Sequence, residues 1–361
     1  MSRALPCAQP QTVHPFGRDR RISREAFAKV VAENCLGQSM RTALHSASLT
    51  RSRFSLQRMT EVVNTLDRNK TTYNNGHRDY KHLAKHRECM GSLPISVIIP
   101  VKNMASTMEK CLNSIEKNNP AEIIVVDGNS TDGTLEIARR YTEKIYSDGG
   151  RGPSYAHQLG AEKARQEYIA YVDADIILPD ATLSTMLTEL RTLGYANIQA
   201  LWRATSRSNY WERAQDWHSQ ALQARKSGGL SASLLRRNVV LSVGFDPSIK
   251  LYGDDYDFLS KLKRNGYKVG NSRAYVYHHH RADLKSLVRQ QLRAGQSTPQ
   301  IMKKHGVWRA ELWPPFVMLY WLAICLIKGK PWFAPYLIIM YSAQTAGMMK
   351  ELFKLIKGSK R

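Results

Sequence analysis

Two aspartates one residue apart, Asp173 and Asp175, follow directly on the apolar run Tyr168-Ile-Ala-Tyr-Val172. Alternation along an extended chain puts both carboxylates on one face with Ala174 between them. Like charges at the end of a buried strand repel unless something positive lies between them, and a divalent cation is the usual answer. Read alone, an Asp-x-Asp is more often a surface turn after a strand; its neighbours in sequence overturn that here. Asp127 and Asp132 follow a second buried run, Glu122-Ile-Ile-Val-Val126, and Asp254, Asp255 and Asp257 open a helical pattern over 252–263. Three acids in a first turn complement the helix dipole, and they equally suit a base held over a crevice. Farther on, Ala274-Tyr-Val-Tyr277 leads into His278, His279 and His280, of which 278 and 280 share a face.

The elements that must position these residues alternate in type. Ile95–Pro100 is a β-branched strand ended by proline, and Met104, Met108, Cys111, Leu112 and Ile115 form one helical stripe after it. The run Asp127-Gly-Asn-Ser-Thr-Asp-Gly-Thr134 supplies a turn and helix caps, with a helix over 134–141. A short strand near 144–146, a loop at 148–153, a helix over 154–165 and the strand before Asp173 complete the rhythm. This order predicts an α/β fold with a doubly wound, mostly parallel sheet, whose ligands bind at the C-terminal strand edges. Three loops then face one crevice: Pro100–Asn103, Asp127–Asp132 and Asp173–Asp175. The glycines at 149, 150 and 152 lack dinucleotide-fingerprint spacing, and no Walker-type phosphate loop is present.

The 361 residues carry a net charge of +23 and are 43% apolar, enough for a real core and a demand for an anionic partner or surface. Five scattered cysteines without a C-x-x-C pair read as reduced, intracellular thiols, and the first thirty residues show no signal-peptide pattern. Residues 1–92 hold 16 Lys/Arg against 7 Asp/Glu and few apolar runs, which reads as a basic extension of low order. Within it His77, His82, His86 and Cys89 are candidate zinc ligands of non-standard spacing. Met90, immediately before the first strong strand, is a candidate start of the functional chain.

Four segments taken together resemble the successive motifs of family 2 glycosyltransferases of the GT-A fold. They are Ser96-Val-Ile-Ile-Pro-Val-Lys-Asn103, Ile124-Val-Val-Asp-Gly-Asn-Ser-Thr-Asp-Gly-Thr134, Ala170-Tyr-Val-Asp-Ala-Asp175 and Gly253-Asp-Asp-Tyr-Asp-Phe258. The resemblance covers roughly 94–295 in the correct order. It implies transfer of a sugar from a nucleotide-sugar donor to a hydroxyl, with Mn²⁺ or Mg²⁺ at Asp173 and Asp175 neutralising the diphosphate leaving group. It implies further that Pro100, Val101, Asn103 and Asp127 hold the nucleoside, with Asp132, Asp173 and Arg151 nearby and Arg151 facing the phosphates. Asp255 matches the carboxylate that takes the acceptor's proton, with inversion at the anomeric carbon. A histidine as third metal ligand corresponds to His278, with His280 as substitute and a solvent-facing cluster as the alternative. Three departures stand out: Asp254 replaces the usual Glu, His157-Gln158 replaces Arg-Asn, and Ala294 stands where Gln290-Gln-Leu-Arg293 calls for Trp, which favours transfer of a single sugar. Trp202, Tyr210, Trp211 and Trp217, in the variable region, read as core before sugar platform.

Residues 312–327 and 332–349 are apolar runs of 16 and 18 residues around Lys328-Gly-Lys330-Pro331, and 348–357 alternates apolar and basic residues as an interfacial helix does. At about 1.5 Å per residue the first run reaches roughly 24 Å, short of the ~30 Å hydrocarbon core. The expectation is a C-terminal apolar helical hairpin, as transmembrane or membrane-lying helices, with a core helix pair as the alternative. The organisation expected is therefore a basic extension (1–92), a GT-A domain (93–295) and a membrane-associated segment (296–361), at the cell membrane with the catalytic domain cytoplasmic. Expected partners are a nucleotide-sugar, an acceptor glycan or lipid-linked acceptor, and the membrane surface, without nucleic acid. Rival readings are a sugar nucleotidyltransferase and a basic nucleic-acid-binding protein.

Overall fold

The computed structural model describes residues 91–224, 228–280, 283–309 and 312–358. The candidate zinc set, Met90 and nearly all of the basic extension lie outside them. The described residues fall in one compact unit.

The expected alternation forms. β1 (Leu93–Val101) leads to α1 (Ala105–Lys117), β2 (Pro120–Asp127) to α2 (Thr134–Ala138), and β3 (Ile145–Ser147) to α3 (Pro153–Lys163) before β4 (Tyr168–Tyr171). These strands lie parallel in the order β3-β2-β1-β4. Every residue of β4 is buried, as a central strand covered on both faces must be. One layer packs the α1 stripe (Met108, Cys111, Leu112, Ile115) against Ile95, Val97 and Ile99. The other packs Ala156 and Ala161 of α3 against Ile98, Ile124 and Val126.

Beyond β4 the sheet departs from the parallel expectation. β5 (Ile176–Ile177), α4 (Thr182–Leu193), β6 (Asn197–Ala204), α5 (Tyr210–Gln223), β7 (Ser233–Arg236), α6 (Arg237–Val243), α7 (Asp254–Arg264) and β8 (Val269–His278) extend the order to β4-β7-β6-β8-β5. β7 runs antiparallel to β4 and β6, and β5 antiparallel to β8. The sheet is thus parallel-rich and mixed. The β5–β8 pair matters most for the chemistry, because its register sets His278 opposite Ile176, one residue past Asp175.

The C-terminal runs become α9 (Pro314–Ile327), a 3₁₀ turn at Pro331–Phe333 and α10 (Ala334–Gly358), following the long α8 (Leu284–His305). Among the described residues no helix is long and apolar enough to cross a membrane, so the expected transmembrane hairpin is not supported. The physical reasons differ for the two helices. With 14 residues, α9 reaches only about 21 Å. Although α10 is long enough, its second half carries Lys350, Glu351, Lys354 and Lys357. Much of the apolar content is also spent on packing: Trp321, Cys325, Tyr336, Leu337 and Tyr341 are buried in a third core cluster together with Ala214 of α5. Tyr210, Trp211 and Trp217 pack on the same cluster, as expected of core aromatics.

α10 lies chiefly along α8. Their backbones nearly touch: a Cβ on Gly295 would stand 2.0 Å from the Gln344 carbonyl oxygen, and one on Gly347 would stand 2.1 Å from that of Leu292. The other face of α8 reaches the segment before α7. Ser297 Oγ accepts from Tyr252 N at 3.1 Å, and Ile301 fills the space where a Cβ on Gly253 would sit. Gly253 has φ +96°, so this position suits glycine on both counts.

Candidate active site

The loops after β1 and β2 are stitched together where those strands end in register, Val101 opposite Asp127. Asn103 N donates to Ser130 Oγ (2.9 Å), and Asn103 Oδ1 accepts from Thr131 N (2.8 Å). Asp132 accepts from Ala105 N and Thr134 N, both at 3.1 Å, and from the Thr134 hydroxyl, which holds its carboxyl below the usual range. Asp132 therefore caps the start of α2, as the run's composition suggests, and also clasps the start of α1. The buried Asp127 carboxylate accepts from Ser130 N at 3.1–3.2 Å. On the β3 side, Asp148 accepts from Gly150 N (2.6 Å) and Gly152 N (3.2 Å) and shapes the loop that presents Arg151. The exposed Arg151 guanidinium rests 3.4 Å from the Tyr155 ring centroid. Gly152, at φ +97°, comes so close to the Lys250 carbonyl that a Cβ would lie 2.2 Å from its oxygen. That contact brings the segment before α7 against the start of α3.

Asp173 and Asp175 stand where β4 runs out. Burial, and next the Asp175 charge, push the Asp173 carboxyl up, while Ser231, His157 and His278 hold it down. Ser231 donates its hydroxyl to Asp173 Oδ2. His278 Nε2 lies 3.6 Å from Asp175 Oδ1, and its ring stacks on Trp202 with centroids 4.8 Å apart and planes 10° from parallel. His280, the substitute candidate, is buried with its Nδ1 3.1 Å from Nδ1 of His278, and burial brings its imidazole down to about 4. The two histidines that alternation put on one face lie side by side, with His278 beside Asp175. Two mutually repelling carboxylates beside an imidazole are a donor set that suits Mn²⁺ or Mg²⁺. Among the described residues no three His, Cys, Asp or Glu side chains already stand in metal-holding geometry, so these are neighbours and not a closed cage.

The three acids at the start of α7 differ sharply in what they meet. Asp254 is buried with Oδ2 2.8 Å from His157 Nδ1. The His157 ring is held by stacking on Phe245 and an edge contact with Tyr171. Asp257 is held by Lys261 (2.9 Å), Lys304 (2.8 Å) and His305 (2.9 Å), which together keep its carboxyl low. Asp255 is the one open to solvent, and it borders a cavity of 700 Å³. Protein atoms crowding the crevice, and then the adjacent Asp254 charge, push it up to about 6, with His157 opposing and Asp173 adding a little.

The family model described as glycosyl transferase family 2 matches residues 96–242, which contain most of β1, the paired loops, Asp173 and Asp175. Over that segment the chain is similar to glycosyltransferase family 2. Among curated relatives, glycosyltransferase AglE of Haloferax volcanii is 24% identical over 253 residues, 66% of this chain and 82% of that one. The cholesterol galactosyltransferase of Borreliella burgdorferi is 36% identical over 103 residues, 27% of this chain and 28% of that one. The chain spans at most 40% of the length of six further relatives it matches. Among solved structures, glucosyl-3-phosphoglycerate synthase from Mycobacterium tuberculosis, in complex with Mn²⁺, UDP and glucosyl-3-phosphoglycerate, aligns at 19% identity and a TM-score of 0.46, over 65% of this chain and 87% of that one. The likeness to the family rests on the sequence match and not on that structure. Of the three readings of the sequence, that match and the curated relatives support sugar transfer from a nucleotide-sugar.

Sequence reasoning missed several residues of the candidate site. Ser231 sits in a segment without periodicity, and only the antiparallel return of β7 brings it to Asp173. The bond between His157 and Asp254 spans 97 positions; the two departures from the family pattern, at 157 and 254, were its one visible trace. Trp202 packs against the core as read, and in addition backs His278 and lines the cavity beside Asp255.

Proposed function

We propose that the protein is a metal-dependent, inverting glycosyltransferase that moves one sugar from a nucleotide-sugar to a hydroxyl acceptor at a membrane surface. The observation that carries the reading is the sorting of the α7 acids. Asp254 and Asp257 are engaged by buried partners, which leaves Asp255 to face the open crevice and take a proton. In this reading Asp127, Pro100, Val101 and Asn103 bind the nucleoside, while Asp132 keeps their loops in register. Arg151 reaches the diphosphate from the Asp148 loop. Asp173, Asp175 and His278 hold Mn²⁺ or Mg²⁺, which when bound supplies positive charge for the diphosphate leaving group. Asp255 removes the acceptor hydroxyl's proton as that oxygen attacks the anomeric carbon from the face opposite the departing diphosphate. Trp202 fixes the His278 ring by stacking.

The membrane part of the proposal is interfacial and not spanning. Phe316, Leu319, Leu326, Ile327 and Trp332 are exposed beside Lys328 and Lys330, and Phe353, Leu355 and Ile356 beside Lys354 and Lys357. Apolar surface edged by lysine suits an anionic headgroup layer, and 296–361 is then the membrane-associated segment, with the catalytic domain on the cytoplasmic side. A relative named for cholesterol is consistent with an acceptor drawn from a lipid phase.

The test is release of nucleoside diphosphate from a panel of UDP-, GDP- and dTDP-sugars, with Mn²⁺ or Mg²⁺ present and then chelated, and a mixed lipid extract supplied. Metal-dependent release that Asp255→Asn abolishes supports the proposal. Full activity in that variant would refute the role of Asp255.

A further inference from the structure

The cavity beside Asp255 has an apolar wall from elements far apart in sequence, Trp202 of β6, Leu222 of α5, Leu259 of α7, and Phe316, Val317 and Tyr320 of α9, and polar groups at Gln199, Gln223, Lys263 and Asn271. Its 700 Å³ gives room for about twenty water-sized groups, well within the range of sites that enclose most of a small ligand. The polar groups suit the head of an amphiphile and the apolar wall its body, a wall that a free sugar would leave unused. The cavity also does not stop at the protein's own core. Phe316 and Tyr320 remain 58% and 43% exposed, and Leu319, Leu326 and Ile327 of the same helix are exposed too. The wall nearest solvent is therefore continuous with the apolar outer surface of α9, the surface edged by Lys328 and Lys330.

The geometry points to an acceptor-binding cavity for an amphiphile: a hydroxyl at Asp255 and an apolar body between α5, α7 and α9, drawn from the lipid surface along α9. This rests on the transferase reading above and names its acceptor class. The acceptor oxygen forms the new bond to the anomeric carbon, its proton passes to Asp255, and the bond from that carbon to the diphosphate breaks with its electron pair leaving on the nucleoside diphosphate. The burial accounts for α9 being built into the catalytic unit, since α5 and α7 alone would leave the cavity open on its apolar side.

The experiment uses the full chain and glucose with its octyl, decyl and dodecyl glucosides, below their micelle-forming concentrations, as probes of binding by calorimetry. Each CH₂ fully buried adds about fourfold to affinity, so at least a tenfold rise from octyl to dodecyl is expected, with no measurable binding of glucose. Ser219→Trp, which fills the cavity from α5, and Leu222→Glu, at a residue 40% exposed and so tolerant of charge, should each weaken dodecyl glucoside at least tenfold. Ile327→Lys, outside the cavity and 76% exposed, should leave it within twofold. Binding of UDP, GDP or dTDP with Mn²⁺ serves as the control and should be unchanged in all three. Binding independent of chain length, or weakened by Ile327→Lys as much as by Ser219→Trp, in a protein that still binds a nucleotide, overturns the cavity assignment alone. Failure of the unsubstituted protein to bind any of the three nucleotides overturns the transferase reading and the acceptor assignment with it.

Discussion

Replacing Asp254 by Asn removes a negative charge next to Asp255 while keeping a side chain of the same shape against His157. Asp255 is pushed up to about 6, first by the crowding of the crevice and second by that charge, whereas an aspartate in water titrates near 3.9. Two unit charges about 7 Å apart interact by about 0.6 kcal/mol in water and about 2.4 kcal/mol at an effective dielectric of 20. Asp255 has a solvent-facing side, which sets it between those limits and makes the Asp254 contribution about 0.5–1.5 pH units. Crowding remains in the variant, so the midpoint falls but stays above that of a free carboxylate. A general base works only when ionised. The rate of nucleoside diphosphate release should therefore rise with pH to a midpoint at or below about 6, then level. In Asp254→Asn the same curve should move to lower pH by about 0.5–1.5 units, with the plateau reduced less than the hundredfold or more expected for Asp255→Asn. The assay is initial rates from pH 4.5 to 8 at saturating Mn²⁺ and donor. An unmoved midpoint in Asp254→Asn, or the same profile surviving in Asp255→Asn, would refute the reasoning.

Other perturbations separate fold from chemistry. His157→Phe leaves the buried Asp254 carboxylate without its imidazole and should cost about 2–4 kcal/mol by denaturant unfolding; in the double variant with Asp254→Asn much of that loss should be recovered. Asp175→Asn should abolish metal-dependent turnover. It should also remove the rise in melting temperature on adding Mn²⁺, which corresponds to about 2.7 kcal/mol when the cation stands at a hundred times its Kd. His218 is buried against the Tyr336 and Tyr341 hydroxyls, and burial lowers its imidazole to about 4. The unfolded chain takes up that proton near 6.5 and the folded chain does not. Stability from this group is therefore complete above pH 6.5 and is lost as pH falls toward 4, by about 3 kcal/mol. His218→Gln should flatten that part of the stability profile.

What the sequence made legible was local. Strands that end on carboxylates, the alternation that set His278 and His280 on one face, and the acids opening α7 are all patterns within a few residues, and each reappears in three dimensions. What it hid was relational. Nothing near position 254 says which of three acids is left exposed; that is decided by His157 and by Lys304 and His305, which arrive from elsewhere in the chain. The short β7 carries no periodic signature, so the antiparallel turn of the sheet and the Ser231 contact could not be foreseen. Hydropathy likewise does not distinguish a helix bathed in lipid from one whose Trp321 and Cys325 are buried against α5.

The close crossing of α8 and α10 at Gly295 and Gly347 bears on how the protein can be trimmed. Shortening the chain at about residue 330 would look like a sensible way to obtain a tractable catalytic fragment free of greasy helices. It would instead strip α8 of the helix it is seated on, and α8 is what presses Ile301 and Ser297 against the Tyr252–Gly253 corner from which α7 springs. The end of the chain is thus a keystone for its middle.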